Sequence, residues 1–291
     1  MSTLRRLFDK YRISSTLTLL FLAVIWLIPT IGLLITSLRE KTEAQTSGWW
    51  VIFTKFSEQN WTTIAYREMF SGGNLGTSFI SSLAVTIPAT ILPLLFAAYA
   101  AYGFTFMRFK GREVYFSIII GLLVVPLQAA LVPVLKMFIS FTEKTGIPLS
   151  GQYAAAWIVH ATFAMPLAIY ILRNYMSTIP VPLIEAARMD GAENFTIFWR
   201  LVFPMSIPAL ASFAIFQFLW VWNDLLVALT FASGTEEVAP INSKLASLVG
   251  QYGSSWTSLT AGAFITISIP LIVFFSLQRY FVRGLTAGSV K

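Results

Sequence analysis

The chain has 291 residues, of which 56% are hydrophobic and only 11% are charged. Soluble domains carry about 25% charged residues, so the composition excludes an ordinary soluble domain and predicts a polytopic membrane protein. The net charge of +7 does not indicate nucleic-acid binding, because the basic residues lie in short clusters between apolar segments. The lack of cysteine excludes disulfides, thiol catalysis and cysteine-ligated metals.

Six apolar segments are long enough to cross a hydrocarbon core of about 30 Å, which takes roughly 20 helical residues. The first is too long for a signal peptide and lacks a small-residue cleavage site, so it is predicted to be a span. We predict an all-α fold in one transmembrane domain, residues 1–291. The spans are placed near residues 13–37, 78–104, 114–137, 154–175, 205–231 and 258–281.

The segments between the spans alternate in positive charge. Thirteen Lys and Arg residues fall on the side that holds both termini, and seven fall on the other side. Cytoplasmic loops carry the excess of Lys and Arg, so both termini and the segment between the fourth and fifth spans are predicted to be cytoplasmic.

The longest segment on the other side, residues 38–77, contains Trp49, Trp50 and Trp61. An aromatic belt at the membrane interface is the preferred interpretation, because amphipathic rings favour that location. A docking surface for a solute receptor is the alternative.

Two features inside the third and fourth spans have structural interpretations. Pro126 and Pro133 lie seven residues apart on one helix face and are interpreted as ordinary membrane-helix prolines, since neighbouring groups can satisfy the freed carbonyls. A kink that widens a transport pathway is the alternative. His160 is the single histidine of the chain, so a hydrogen bond between helices is expected rather than a metal site or proton relay.

Residues 176–204 form a polar segment between the fourth and fifth spans. Pro180 and Pro182 predict the end of one helix and the start of a short second one. Gly191 predicts a break with left-handed backbone, which glycine adopts without steric cost. A further short amphipathic helix, ending at Pro204, is predicted from apolar residues at helical spacing, Phe195, Phe198, Trp199 and Val202.

This segment resembles the cytoplasmic EAA loop of permeases from binding-protein-dependent ABC importers. The residues in register with the family pattern are Glu185, Ala186, Ala187, Asp190, Gly191, Ala192 and Pro204. Five other stretches resemble sugar-importer permeases: residues 106–112, 125–147, 166–173, 218–226 and 278–291. The last of them resembles the tail of the second permease in maltose-type pairs, and within that group the chain is most similar to permeases for α-glucosides and glucosylglycerol. The resemblance implies that the loop contacts a separate ATPase. It also implies that the C-terminal tail reaches the ATPase dimer through Gly284, Leu285, Thr286 and Gly288.

Asp224 is the one carboxylate well inside a predicted span, and ionisable groups there are functional candidates. Its polar and aromatic neighbours suit sugars, which offer hydroxyls to amides and C–H faces to rings. The candidate substrate pathway is therefore Gln217, Trp220, Trp222, Asn223 and Asp224. The equally weighted alternative is that Asn223 and Asp224 cap helix ends or bond to neighbouring helices.

No Gly-x-x-x-x-Gly-Lys-Ser/Thr stretch occurs, so the chain cannot hold ATP phosphates in a P-loop. We predict a permease, not an enzyme, with no catalytic residue, metal or cofactor of its own; ATP is bound by separate subunits. The resemblance implies a sugar importer, of an α-glucoside or another di- or oligosaccharide, in the bacterial or archaeal plasma membrane. The implied partners are a second, different permease, two ATPase subunits, an extracytoplasmic sugar-binding protein and membrane lipid, but no nucleic acid.

Two alternative functions remain at this point. One is an ABC permease for a polyol or another small solute, which would share nearly all of these motifs. The other is an ion-driven secondary transporter, against which the scarcity of intramembrane ionisable residues argues.

The charge distribution gives a test of topology. Because the chain lacks native cysteine, Glu193→Cys and Thr54→Cys can each be labelled as a single thiol. We expect a membrane-impermeant maleimide added to intact cells to label the Thr54 variant and to spare the Glu193 variant. The reverse pattern would overturn the predicted orientation, and permeabilised cells, in which both variants react, are the control.

Overall fold

The computed structural model describes residues 2–71, 75–232, 238–251 and 256–287. Across these ranges it contains helices and turns but no β-strand, so the predicted all-α fold is confirmed. The α-helices are α1 (Ser2–Ser37), α2 (Lys41–Thr46), α3 (Ile52–Lys55), α4 (Ile64–Ser71), α5 (Leu75–Phe106), α6 (Arg112–Gly121), α7 (Leu127–Thr145), α8 (Tyr153–Met176), α9 (Val181–Met189), α10 (Asn194–Ile197), α11 (Phe203–Met205), α12 (Ile207–Asn223), α13 (Ile241–Gln251) and α14 (Trp256–Ala287). Short 3-10 turns cover Trp49–Val51, Phe56–Glu58 and Leu122–Val124, and π-helical turns cover Phe198–Val202 and Ala228–Ala232.

Four helical segments among the described residues are long and apolar enough to cross a membrane, and two bent helix pairs bring the number to six if each pair is one span. The four correspond to the first, second, fourth and sixth predicted spans. They are Ser15–Ser37, Leu75–Phe106, Tyr153–Met176 and Trp256–Gln278.

The third predicted span, residues 114–137, is not one straight helix. The helical residues before Val125 meet α7 at an angle of 101°. Pro126 causes the break, because its ring pushes Val125 into extended backbone and it has no N–H to continue the helix. Pro133 remains inside α7. The interpretation of both residues as ordinary membrane-helix prolines is therefore wrong for Pro126.

The fifth predicted span, residues 205–231, is also divided. The helical residues that precede α12 meet it at 73°. Pro208 has no N–H to donate to the carbonyl of Pro204, so the regular hydrogen-bond pattern is interrupted at this point. At its other end α12 stops at Asn223, directly before Asp224, which was predicted to lie well inside this span.

The chain forms two compact units. The first contains residues Met1–Asn74 and Ser247–Ile265, and the second contains Leu75–Ala246 and Thr266–Lys291. In the second unit, α5 packs along α8 through small side chains that are fully or almost fully buried, Ala97, Ala98 and Ala101 from α5 and Ala164 and Ala168 from α8. Small residues let two membrane helices approach closely, which compensates for the lack of a hydrophobic driving force in lipid.

The α5–α8 packing makes a testable prediction about Ala168, which is completely buried. Ala168→Leu should destabilise the protein by about 1–3 kcal/mol, because a larger side chain forces the two helices apart. The matched control is Ala129→Leu, at an exposed position of α7. Thermal unfolding in detergent should show a lower midpoint for the first variant and no change for the second; equal midpoints would contradict the close packing described here.

Candidate functional site

The segment between α8 and α12 begins with the predicted change of helix. Pro180 has extended backbone and is the N-cap of α9, and Pro182 lies in the first turn, where proline is tolerated. Ile184 is buried, whereas Glu185 and Ala186, which follow it directly, are exposed. One face of α9 therefore packs inward, and the face that carries the acidic residue points away from the rest of the chain.

Gly191 ends α9 in a Schellman motif. Its N–H donates to the carbonyl of Arg188 at 3.0 Å, and the N–H of Ala192 donates to the carbonyl of Ala187 at 3.0 Å. The motif needs a left-handed residue at this position, and the φ of Gly191 is +80°, which confirms the predicted conformation. A Cβ atom at Gly191 would meet nothing within 4 Å. Glycine is therefore required by backbone conformation and not by space.

The return helix, residues 194–205, anchors the segment to the core of the second unit. Ile197, Phe198 and Val202 are buried, and the Phe198 ring lies 5.0 Å from the ring of Tyr99 and 5.6 Å from that of Tyr102. The hydroxyl of Tyr102 also donates to Oδ1 of Asn194 at 3.1 Å. Aromatic contacts and one hydrogen bond thus fix this helix against the end of α5.

The last turn of α9 is attached to α5 as well. Nη2 of Arg188 donates to the carbonyl oxygen of Phe106 at 2.9 Å, and Phe106 is the last residue of α5. A basic side chain in the last turn of a helix often bonds to a backbone carbonyl, but the sequence did not show that the carbonyl would be that of Phe106. Arg188 and the return helix therefore both hold the C-terminal end of α9, and the buried Ile184 packs its middle inward.

The motif residues of this segment do not all face the same way. Glu185, Ala186, Asp190, Gly191 and Pro204 are exposed. Ala187 and Ala192 are half-buried and pack against the hydrophobic core instead. Within the part of the chain that the structure describes, the two carboxylates form no ion pair. The sequence also missed Met189, whose side chain is 89% exposed beside them.

Asp224 interrupts the fifth predicted span by capping a helix. Its Oδ1 accepts the backbone N–H groups of Leu226 at 2.8 Å and Val227 at 3.3 Å, and its own backbone is extended. These bonds satisfy amides that the break at the end of α12 leaves unpaired. The capping interpretation of Asp224 therefore has direct structural support.

His160 lies opposite the same carboxyl group. Nε2 of His160 is 3.6 Å from Oδ2 of Asp224, and both side chains are almost fully buried. The contact links α8 to the end of α12, but it is longer than a hydrogen bond. The predicted hydrogen bond between helices is therefore replaced by a looser polar contact. The rings of His160 and Trp220 lie nearby in a T-shaped arrangement, with centroids 5.9 Å apart. Among the described residues, no cluster of three His, Asp or Glu could hold a metal ion.

Two of the five candidate pathway residues line a cavity of about 420 Å³, and the other three do not. Gln217 and Trp220 line it, together with apolar residues of α8, α12 and the break at Val125. Gln217 is completely buried and donates from Nε2 to the carbonyl of Ala89 at 3.2 Å, while its Oε1 has no hydrogen-bond partner among the described residues. Amide and indole groups at the wall of one cavity suit a polar solute with an apolar face, but Oε1 of Gln217 is buried, so a solute reaches this oxygen only if the wall opens.

Trp222 and Asn223 do not line this cavity. Trp222 is buried, stacks on Phe218 with ring centroids 5.8 Å apart, and donates from its indole nitrogen to the carbonyl of Thr266 at 3.1 Å. Asn223 is exposed and donates to the carbonyl of Leu219 in its own helix. The structure therefore does not bring the five residues into a single site.

The C-terminal tail is described only in part. Gly284, Leu285 and Thr286 belong to the last turns of α14, which continues to Ala287, beyond the end of the predicted span. Their side chains and the whole of Gly288 lie outside the described residues.

Comparison with known proteins identifies the class of protein that these features define. Residues 93–287 match the family described as "Binding-protein-dependent transport system inner membrane component". This stretch covers more than half of the chain, and the chain belongs to that family. The family consists of transport subunits, so the protein is a multi-pass inner-membrane permease and not an enzyme.

Two relatives are similar along most of the chain. The osmoprotective compounds uptake permease protein GgtD of Synechocystis is 46% identical over 281 residues, which cover 94% of this chain and 91% of the relative. The alpha-glucoside transport system permease protein AglG of Rhizobium meliloti is 48% identical over 241 residues, which cover 83% of this chain and 63% of the relative.

A solved structure has the same fold. It is a chain of a bacterial ABC transporter involved in the import of the acidic polysaccharide alginate, with a TM-score of 0.73 and 23% identity. The match covers 94% of this chain and 97% of that chain. At this identity the likeness supports the fold alone.

The buried position of Trp222 makes the second prediction from the structure. Trp222→Ala should cost about 3–5 kcal/mol, because it leaves a large cavity in the packing around Phe218. We expect less folded protein to be recovered and a lower unfolding midpoint. Trp222→Phe, which keeps the stacked ring and loses one hydrogen bond, should cost only about 1 kcal/mol. A stable Trp222→Ala variant that fails only in uptake would instead make Trp222 a pathway residue.

Proposed function

We propose that this chain is one of two different permease subunits of an ATP-driven importer for sugars. In this proposal, two ATPase subunits bind on the cytoplasmic side and an extracytoplasmic sugar-binding protein delivers the solute. Both chain termini and α9 lie in the cytoplasm, as the distribution of Lys and Arg favours. The permease itself performs no covalent chemistry, and its role is to change which side of the membrane the pathway faces.

The observation that carries the proposal is the presentation of α9. The helix is short and exposed on its acidic face, yet its C-terminal end is fixed both by Arg188 and by the buried return helix that follows it. Glu185 and Asp190 have no ion-pair partner among the described residues, so both are available to a basic surface of another subunit. A chain without a P-loop needs such a surface if ATP hydrolysis is to drive transport.

The attachments of α9 support a rigid-body mechanism. If the ATPase subunits close on ATP, the helix that they hold moves with them. Arg188 would transmit that movement to the end of α5, and Phe198 would transmit it through Tyr99 and Tyr102. The alanine-rich packing of α5 on α8 would then carry both helices together, because close-packed interfaces shift as units.

An α-glucoside or a related di- or oligosaccharide is the proposed cargo. The name of the Rhizobium relative favours a glucoside, and the cavity at Gln217 and Trp220 has the paired amide and ring that such a molecule would use. The second candidate is a small osmoprotective solute, which the name of the Synechocystis relative favours. Calorimetric screening of the cognate binding protein with glucosides, polyols and glycosylglycerols distinguishes the two candidates. A binding protein that binds polyols but no glucoside would contradict the proposed glucoside cargo.

The coupling role of α9 is tested by a series at Gly191. A residue with a Cβ in left-handed backbone costs about 1–2 kcal/mol, which is too little to unfold the membrane helices but enough to redirect a short helix. Asparagine tolerates this conformation better than other residues. We therefore expect uptake in vesicles to fall slightly for Gly191→Asn, more for Gly191→Ala and severely for Gly191→Val, while complex assembly stays near wild type.

The matched control is Gly121→Val. A Cβ at Gly121 would also meet nothing within 4 Å, but the φ of this residue is −56°, so the same substitution introduces no backbone strain. It should leave ATPase stimulation by the loaded binding protein unchanged, whereas Gly191→Val should abolish that stimulation. Normal stimulation in both variants would refute the proposed coupling.

A further inference from the structure

Arg173, near the end of α8 that leads into α9, joins this helix to the start of α6. Nη2 of Arg173 donates to both carboxylate oxygens of Glu113, at 3.1 and 3.0 Å. Its guanidinium carbon also lies 3.7 Å from the centroid of the Phe116 ring, which belongs to the next turn of α6. The planar guanidinium thus uses its edge for a carboxylate and its face for a ring, a combination that lysine cannot reproduce.

The aromatic ring makes this contact more than a surface ion pair. The side chain of Glu113 is 61% exposed, and exposed ion pairs alone contribute little because two mobile side chains hold only each other. Phe116, in contrast, is buried, and its ring centroid lies 5.7 Å from that of Phe104 on α5. In the described part of the chain, the Arg173–Glu113 pair is the only ion pair that connects α6 to another helix. The start of α6 is therefore held against the end of α8.

The other end of α6 reaches the cavity described above. Helical residues continue from α6 to Val124, where the chain bends before α7, and Leu122, Leu123 and Val125 line the cavity. Ten positions separate Glu113 from Leu123, so about 15 Å of helix lies between the contact with α8 and the cavity. A helix that moves as a rigid body would carry a displacement at its start to this lining.

Three helical segments share the lining of the cavity. Besides the end of α6, α8 contributes Thr162 and Leu167, and α12 contributes Gln217 and Trp220. Because Oε1 of Gln217 is buried, a solute reaches this oxygen only if α12 and the rest of the lining separate. If α6 and α8 moved independently, the end of α6 would not follow the lining residues of α8. A movement of α8 would then no longer set the shape of the cavity.

We propose that Arg173 is a positioning residue for transport, because it makes α6 and α8 move together and so sets how the cavity opens. Arg173 lies three positions before Met176, where α8 ends and the chain turns toward α9. Movement of α9 would therefore reach Arg173 within the last turn of α8, and Glu113 and Phe116 would pass it to α6. This inference rests on the proposed function, since it needs an ATPase that moves α9.

The first test measures the number of solute molecules taken up per ATP hydrolysed. The full chain, assembled with its partner subunits, is placed in vesicles with the loaded binding protein, and the radiolabelled solute is the one selected by the calorimetric screen. In Arg173→Ala and Glu113→Ala the ratio should fall roughly 2- to 30-fold, the range for mutations that weaken coupling between two sites. Poor folding alone would lower uptake and hydrolysis together and leave the ratio unchanged.

The matched control is Arg112→Ala. Arg112 is the other arginine that pairs with Glu113, but it lies on α6 itself, so its loss leaves the connection to α8 in place. The ratio of uptake to hydrolysis should stay at the wild-type value in this variant.

A reversible cross-link tests whether the two helices move together. Arg173→Cys and Glu113→Cys are combined in the otherwise cysteine-free chain, and the assembled complex is bridged with a short bis-methanethiosulfonate reagent that dithiothreitol removes. We expect a low ratio with free thiols, recovery toward the wild-type ratio with the bridge, and renewed loss after reduction. Because one preparation passes through all three states, differences in folding or assembly cannot produce this pattern.

Two results would overturn the role of Arg173. One is a wild-type ratio in Arg173→Ala and Glu113→Ala. The other is a bridge that lowers the ratio further, because α6 would then have to move relative to α8 during transport. A wild-type complex that takes up no solute with ATP would instead contradict the proposed function, and this inference would fail with it.

Discussion

A helix that crosses a bilayer has to pair its own backbone N–H and C=O groups. This chain interrupts two predicted spans, one where the backbone lacks an N–H and one where a side chain accepts the unpaired N–H groups. At Pro126 the imino acid has no N–H to satisfy. At Asp224 a carboxylate oxygen accepts the N–H groups of Leu226 and Val227, which begin the helical turn after the break. The cavity beside Gln217 borders the first of these breaks. The cavity therefore lies beside a point where the regular helix is broken.

The same principle applies to α9 outside the spans. Its last carbonyls are satisfied by the Schellman motif at Gly191, so the chain can reverse direction within a few residues. The return helix then buries Phe198 between two tyrosines of α5. A tight reversal and a buried anchor together produce a protruding helix that cannot swing freely. This combination of exposure and rigidity is what transmission of movement between subunits requires.

Features set by neighbouring residues could be predicted from the sequence, and features set by distant contacts could not. The start of α9 at Pro180 and the left-handed Gly191 follow from the conformational limits of those residues alone. The buried indole of Trp222 donates to the carbonyl of Thr266, which lies 44 positions further along the chain, and no local pattern identifies that partner. Pro126 and Pro133 look alike in sequence, yet one breaks its helix and the other does not, because the outcome depends on the surrounding packing.

The exposure of the α9 region has a consequence for the production of the protein in a cell. Met189 is 89% exposed and Phe195 is 62% exposed, and both belong to the surface that the proposed ATPase would cover. A copy of the chain made in excess of its partners would display these apolar side chains continuously. Exposed apolar surface promotes association and marks a protein for removal by proteases. Under the proposed function, balanced synthesis of the subunits or rapid degradation of unassembled copies would limit this association.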